Sequence, residues 1–197
     1  FDRPVSKEII EECMELALQA PSGSNAQGWQ FMFVLDKDKI AKIGELYRGA
    51  FAHYAASEMA ASRQHADDPS MHDVQQRVQT SAQYLADNMA KAPVLMIPCV
   101  AGRADAPESG GKMGMASMFG SIIPAAWSFM IAARARGIGS AWTTLHLANE
   151  KEIAELIGIP YAEYMQVAMI PLAYTKGTDF KPAYRPPVEN IMHINNW

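Results

Sequence analysis

The residues best suited to chemistry lie in one short run, APSGSNAQGW at positions 20–29. Ser22, Ser24, Asn25 and Gln27 bring hydroxyl and amide groups to one spot, and such groups can donate and accept along the edge of a planar heterocycle. The same residue types also build ordinary turns through local hydrogen bonds, so composition alone leaves both readings open. No side-chain catalyst competes with this run. There is no GxSxG elbow, no HExxH, no P-loop and no Cys-His pair at useful spacing. The histidines are His53, His65, His72, His146 and His193. The first three are spaced by twelve and seven, which does not stack a pair on adjacent helical turns, so they read as solvated helix-face histidines and no metal site is expected. The GIG at 137–139 is a fragment of a dinucleotide fingerprint, but it follows a helix where that fingerprint follows a strand.

Secondary structure must hold the polar run in place. Ser6 is a plausible N-cap, with Glu8, Glu11 and Glu12 in the first turns and an apolar face of Ile9, Ile10, Cys13, Met14, Leu16, Ala17 and Ala20. Pro21, Ser22 and Gly23 end that helix, and residues 28–35 read as a buried strand. Asp36 caps a short helix whose face is Ile40, Ile43, Leu46 and Tyr47. Residues 51–73 are ambiguous, with helical segments expected around a polar turn at Asp67, Asp68 and Pro69. Val74, Val78, Ala82, Leu85 and Met89 mark a further helix, and 93–100 a second buried strand. A polar, Gly-rich loop at 102–112 leads into a long apolar helix that runs to about Arg136. Gly137 stops it and residues 140–144 form a third strand. A short helix at 149–157 and a fourth strand at 165–173 follow. Residues 175–197 contain prolines and no helical period, so they are expected to lie against something else, such as another subunit. No repeat or linker divides the chain, which reads as a single domain over 1–197. Helices and strands are interspersed without strict alternation, so the class is α+β: a sheet of four to five strands packed with helices.

Composition bounds the function. The chain has 197 residues, 49% of them apolar, and a net charge of −4. Mild acidity argues against a general nucleic-acid binder. Residues 113–133 are uncharged and about long enough to span a bilayer, yet glycines, serines and Pro124 dilute them; a buried central helix is expected, with no membrane partner. Cys13 and Cys99 lie far apart and read as small buried hydrophobes, in keeping with a reducing, cytoplasmic compartment.

The polar run resembles the motif A-P-S-x-x-N-x-Q-x-W of the nitroreductase (flavin reductase) family, which sits after that family's first helix and before its first strand. Three further pieces fall in the family's order. APVL at 92–95 resembles its second strand, AARARGIGSAW at 132–142 its central helix, glycine turn and flavin-side strand, and YRPP at 184–187 its C-terminal Arg-x-Pro element. The resemblance covers nearly the whole chain apart from the variable region, about 51–85. It implies a mainly antiparallel sheet surrounded by helices in an intertwined homodimer, with FMN at the subunit interface and NAD(P)H as co-substrate.

Carried across position by position, the resemblance implies that Pro21, Ser22, Gly23, Asn25 and Gln27 contact an FMN held mainly by the other subunit. Trp142, Thr143, Thr144 and Leu145 would line the reactive edge through backbone N–H groups, and Arg185 would pair with the FMN phosphate. No side chain is expected to be catalytic, because the flavin N5 carries the chemistry. Phe51, His53, Tyr54 and Phe119 are candidates for a substrate lid, though each also reads as simple packing. The chain departs from the family in two places. The basic Arg-Ser-x-Arg element is not seen before Phe1 and Asp2, so the numbering is expected to begin after it. The family's lysine-type contact before the second strand is unmatched, Asn88 being the nearest position. The expected activity is ping-pong reduction of nitroaromatics, quinones or similar planar acceptors. A flavin-sequestering protein, a reductive dehalogenase and a flavin-fragmenting oxygenase remain open as alternatives.

Overall fold

The computed structural model describes residues 3–107 and 110–197. Phe1 and Asp2, where the departure from the family was noted, lie outside them. The chain runs α1 (Lys7–Ala17), β1 (Trp29–Val34), α2 (Lys37–Ala56), α3 (His72–Asn88), β2 (Val94–Ala101), α4 (Gly111–Ala135), β3 (Ile138–Ser140), α5 (Glu150–Ile157), β4 (Tyr164–Gln166) and β5 (Ile170–Tyr174). All five strands pair antiparallel, in the order β1-β2-β5-β3, with β4 also on β2. The fold is α+β, as the sequence implied.

β2 explains the layering. Its side chains alternate between faces with the period of two that a pleated strand imposes. Leu95, Ile97 and Cys99 join Ile40, Ile43, Tyr47, Phe51, Ala86, Met89 and Ile153 in a core beneath α2, α3 and α5. Val94 and Met96 turn the other way, toward Ile10, Cys13, Ala126 and Phe129 of α1 and α4. Helices therefore cover both faces, and this is why residues 93–100 read as an unbroken apolar run instead of an alternating one.

Pro98 accounts for a correction. Residues 165–173 were expected as one strand, but β4 and β5 are separate. Pro98 lies in β2 between them and has no N–H to give the ladder. Its carbonyl still accepts from the Val167 N–H at 2.9 Å, so the partner chain follows β2 while its regular pairing lapses.

Three other expectations change. The helix after Asp36 is not short: α2 spans 20 residues and absorbs residues 51–56. The third strand comes earlier than 140–144, as β3, and beyond it only Thr143 pairs, across to Met169. The helix α4 is not buried all round. Ile122, Ala125, Ala126 and Phe129 face the core, whereas Ile123, Trp127 and Ile131 are exposed. By length and composition α4 could cross a membrane, and a third of its most apolar stretch is buried inside the fold.

Local signals behave as read. The Ser6 side chain accepts from the Ile9 N–H, and Asp36 from the N–H groups of Asp38 and Lys39. Gly137, at φ +78°, takes the left-handed turn that ends α4. The tail beyond Tyr174 has one short turn, Val188–Asn190, and is exposed over most of its length. It is anchored near its start, where the Thr175 N–H donates to Gly137 O and the Arg134 guanidinium lies over the Phe180 ring.

Candidate functional site

The polar run forms a strained loop on α4. Ser24, Asn25 and Gln27 all hold positive φ, near +50°, which side-chain-bearing residues adopt rarely and asparagine most readily. The Gln27 N–H donates to Ser22 Oγ at 3.1 Å, and Gln27 Nε2 to Asn25 Oδ1 at 3.0 Å. The Gly23 N–H donates to Ser121 Oγ at 2.9 Å, and Ser121 Oγ donates to Ser117 O at 2.7 Å. A side chain at Gly23 would meet Ser117 Oγ, and that hydroxyl would have to turn aside to admit it. Pro21, Ser22, Gly23, Asn25 and Gln27 thus form one unit, exposed or half-buried, on the N-terminal half of α4.

The segment 142–145 lies at the end of the sheet's edge strand. The Thr143 N–H donates to Met169 O at 3.1 Å and its carbonyl accepts from the Met169 N–H at 2.8 Å. The Thr143 hydroxyl is bonded to the Tyr47 hydroxyl at 2.9 Å. Thr143 is therefore committed inward and offers no donor to a ligand. Among the described residues, no partner is recorded for the N–H groups of Trp142, Thr144 and Leu145. These unpaired donors at an open sheet edge are what a heterocycle with ring acceptors would require.

A cavity of about 820 Å³ opens between the end of α3, the segment just before β2 and strands β3 and β5. Gly139, Ser140 and Ala141 form one wall, Tyr84 and Asn88 another, and Lys91, Lys176 and Phe180 stand around it. Among the described residues its walls include two lysines and no carboxylate. Asn88 does line it, with Oδ1 accepting from Lys91 Nζ at 3.2 Å. The loop of residues 21–27, the segment 142–145 and Arg185 are not among its walls, which end on this strand at Ala141. Arg185 is exposed in the tail, its recorded bond being from Nη1 to Tyr184 O. Within one chain the site residues thus form three groups: the loop on α4, the edge with its cavity, and the tail arginine. The first two share an apolar floor, since Ala20 and Trp142 both pack against the cluster of Trp29, Ile122 and Ala125.

A family model described as the nitroreductase family matches residues 2–174. The chain belongs to the nitroreductase family. It is 27% identical, over its full length and 90% of the other protein, to an Archaeoglobus fulgidus protein provisionally named NADH dehydrogenase/NAD(P)H nitroreductase. Among solved structures it is similar to a BluB-like flavoprotein from Clostridium difficile, with 24% identity, TM-score 0.71, and coverage of all of this chain and 92% of that one. It is also similar to an iodotyrosine deiodinase bound to FMN and 3-iodo-L-tyrosine, with 19% identity, TM-score 0.70, and coverage of 100% and 91%. The family makes this protein an oxidoreductase.

Other residues of this nitroreductase-family chain are settled by their surroundings. Phe51 lies in the core and packs against Tyr54, while His53 is exposed. Phe119 packs on the same cluster as Trp142. His146 is fully buried in the turn Leu145–Asn149, and neither ring nitrogen has a partner among the described residues. Burial alone lowers its pKa to about 4, so it is neutral near pH 7. Tyr47, read from the sequence only as part of a helix's apolar face, is a site neighbour that the pattern could not reveal. Its partner Thr143 is 96 positions away.

Proposed function

We propose that this protein is an FMN-dependent oxidoreductase that takes reducing equivalents from NAD(P)H and passes them to planar, electron-poor acceptors such as nitroaromatics or quinones. The observation that carries the reading is the row of unpaired N–H groups at Trp142, Thr144 and Leu145, which continues the strand edge from the cavity wall at Gly139, Ser140 and Ala141, with Lys91 also on that cavity. The residues fit the group: backbone donors suit the acceptors on a flavin's ring edge, and the Lys91 ammonium suits a phosphate. A cavity of about 820 Å³ falls in the usual range for a cofactor site. When bound, FMN supplies a carrier that is reduced by one substrate and reoxidised by the next, in a ping-pong sequence.

The chain's own residues then bind, orient and exclude water. Thr144 and Leu145 donate through the backbone, so substitution of their side chains leaves the donors in place. Arg185 supplies a cation for the phosphate, provided the tail folds inward. The loop of Pro21, Ser22, Gly23, Asn25 and Gln27 completes the site of a second copy. The separation of loop and cavity within one chain supports this, and so does the exposed stripe Ile123, Trp127 and Ile131, which repeats every four residues along α4. A homodimer buries that stripe and brings one copy's loop to the other's cavity.

No acid or base is drawn from the chain. His146, the histidine nearest the edge, is buried and neutral and has no recorded hydrogen-bond route to solvent. The test is to load the full chain with FMN and follow its colour on anaerobic addition of NAD(P)H and then of a nitroaromatic. Persistent colour with bound FMN would favour a flavin-sequestering protein. The fold shared with a deiodinase keeps reductive dehalogenation as the second reading, to be assayed with halogenated aromatics.

A further inference from the structure

Two consecutive residues of α2 hold both ends of the segment that carries the unpaired donors. Tyr47 Oη is bonded to Thr143 Oγ1 at 2.9 Å, and Leu46 O accepts from Asn149 Nδ2 at 3.4 Å. Between these anchors lie Thr144 and Leu145, with unpaired N–H groups, and His146, with no partner for either ring nitrogen. The segment includes a turn of 3₁₀ type, Leu145–Asn149, whose hydrogen bonds are weaker than those of an α-helix. Its backbone is held by the two Thr143–Met169 bonds and by the Leu147 N–H to Thr144 O bond, and the Tyr47 hydroxyl adds the side-chain anchor on the α2 side.

The Tyr47–Thr143 bond is buried: the two residues are 2% and 9% exposed. Burial pushes the Tyr47 phenol's pKa up and so keeps it protonated, able to donate or accept. The rest of α2 meets the core through Ile40, Ile43 and Phe51, apolar contacts that tolerate small slips. A buried pair of hydroxyls does not, because any slip leaves two polar groups unpaired. Phe and Val would fill the same space without that demand. The pair therefore selects one position of the edge over its neighbours.

Resting on the flavin reading above, we propose that Tyr47 is a positioning residue for the cofactor: through Thr143 it fixes the N–H groups of Thr144 and Leu145 toward the flavin ring. It touches no reacting atom. Its influence passes through the Thr143 hydroxyl, and any hydroxyl at position 143 preserves it.

The experiment compares Tyr47→Phe, Thr143→Val, their double variant and Thr143→Ser, all in the full chain. Two quantities are read: FMN dissociation constant with the bound flavin's visible spectrum, and amide hydrogen exchange in flavin-free protein at Thr143 and Leu147, whose N–H groups are bonded to Met169 O and Thr144 O. Tyr47→Phe and Thr143→Val should each weaken FMN binding by about tenfold, alter the spectrum and raise exchange at positions 143 and 147 by at least about tenfold, as expected for loss of one buried hydrogen bond. The double variant should be no worse than the poorer single one, and Thr143→Ser should match the parent. Folded Tyr47→Phe protein with parental exchange at positions 143 and 147 overturns the proposal, whether or not FMN binds. Faster exchange with unchanged FMN affinity and spectrum also overturns it. A parent protein that takes up no FMN refutes the flavin reading, and the exchange measurement then shows separately whether the clamp exists.

Discussion

The Gly23 amide and the Ser121 hydroxyl are joined by a 2.9 Å hydrogen bond across 98 residues of sequence, and this bond seats the polar loop on α4. Gly23→Ala would drive a methyl group into Ser117 Oγ. The loop is exposed, so folding stability should change by less than about 1 kcal/mol. FMN affinity should fall by about tenfold as the loop shifts. Removing the obstructing hydroxyl in Gly23→Ala/Ser117→Ala should restore most of it. Fluorescence titration of the single and double variants checks the pair, and equal affinities in both would mean the loop does not meet the cofactor.

His146 makes stability depend on pH. Its pKa is lowered to about 4 in the folded chain, so below the ordinary value near 6.5 the unfolded chain takes up a proton that the folded chain refuses. The stabilisation is complete above about pH 6.5 and is lost as pH falls toward about 4. The loss should total on the order of 3 kcal/mol. Urea denaturation across that range should show a steeper decline for the parent than for His146→Leu. Parallel curves would mean that the buried imidazole does not titrate in this window.

Arg103 and Glu150 clamp the loop after β2 to the start of α5. Arg103 Nη2 meets Glu150 Oε2 at 2.8 Å, and the side chains are 13% and 11% exposed. Glu150 Oε1 also accepts from the Gln166 N–H at 2.9 Å. Glu150→Ala leaves a shielded guanidinium with, among the described residues, only the more exposed Asp105 as its ionic partner, and an unpaired strand amide. Denaturation should record a loss of about 3 kcal/mol. A change below about 1 kcal/mol would assign the pair to the screened surface class.

Arg185 and the α4 stripe test the assembled site. Arg185→Ala should weaken FMN binding roughly ten- to a hundredfold without changing the melting temperature, because the side chain's recorded partner is only its neighbour's carbonyl. Ile131→Glu places a charge in the exposed stripe and should convert a dimer to a monomer in sedimentation. A parent protein that sediments as a monomer at micromolar concentration would contradict the shared site.

Much of this was legible in the sequence, for identifiable reasons. Ser6 and Asp36 announced their helices because capping is local chemistry. The loop at 20–29 stood out because its polar residues are contiguous. Other features depend on partners far along the chain. Pro98 divides the strand opposite it, not its own. Residues 51–56 extend α2 without an apolar period that would advertise it. The cavity draws its walls from α3, the segment 89–93, β3, β5 and the tail, so no run of residues marks it. Thr143 could be placed at the edge by resemblance, but that its donors face inward toward Met169 and Tyr47 required the strand pairing itself.

The most direct test of the central claim is an anaerobic spectrum. The full chain is incubated with FMN, freed of unbound flavin, and mixed with NADH or NADPH. The account predicts a yellow protein that bleaches on addition of one of these and regains its colour when a nitroaromatic or quinone is added after the oxidised nicotinamide has been removed. A chain that takes up no FMN, or that keeps its colour with both reductants, would contradict it.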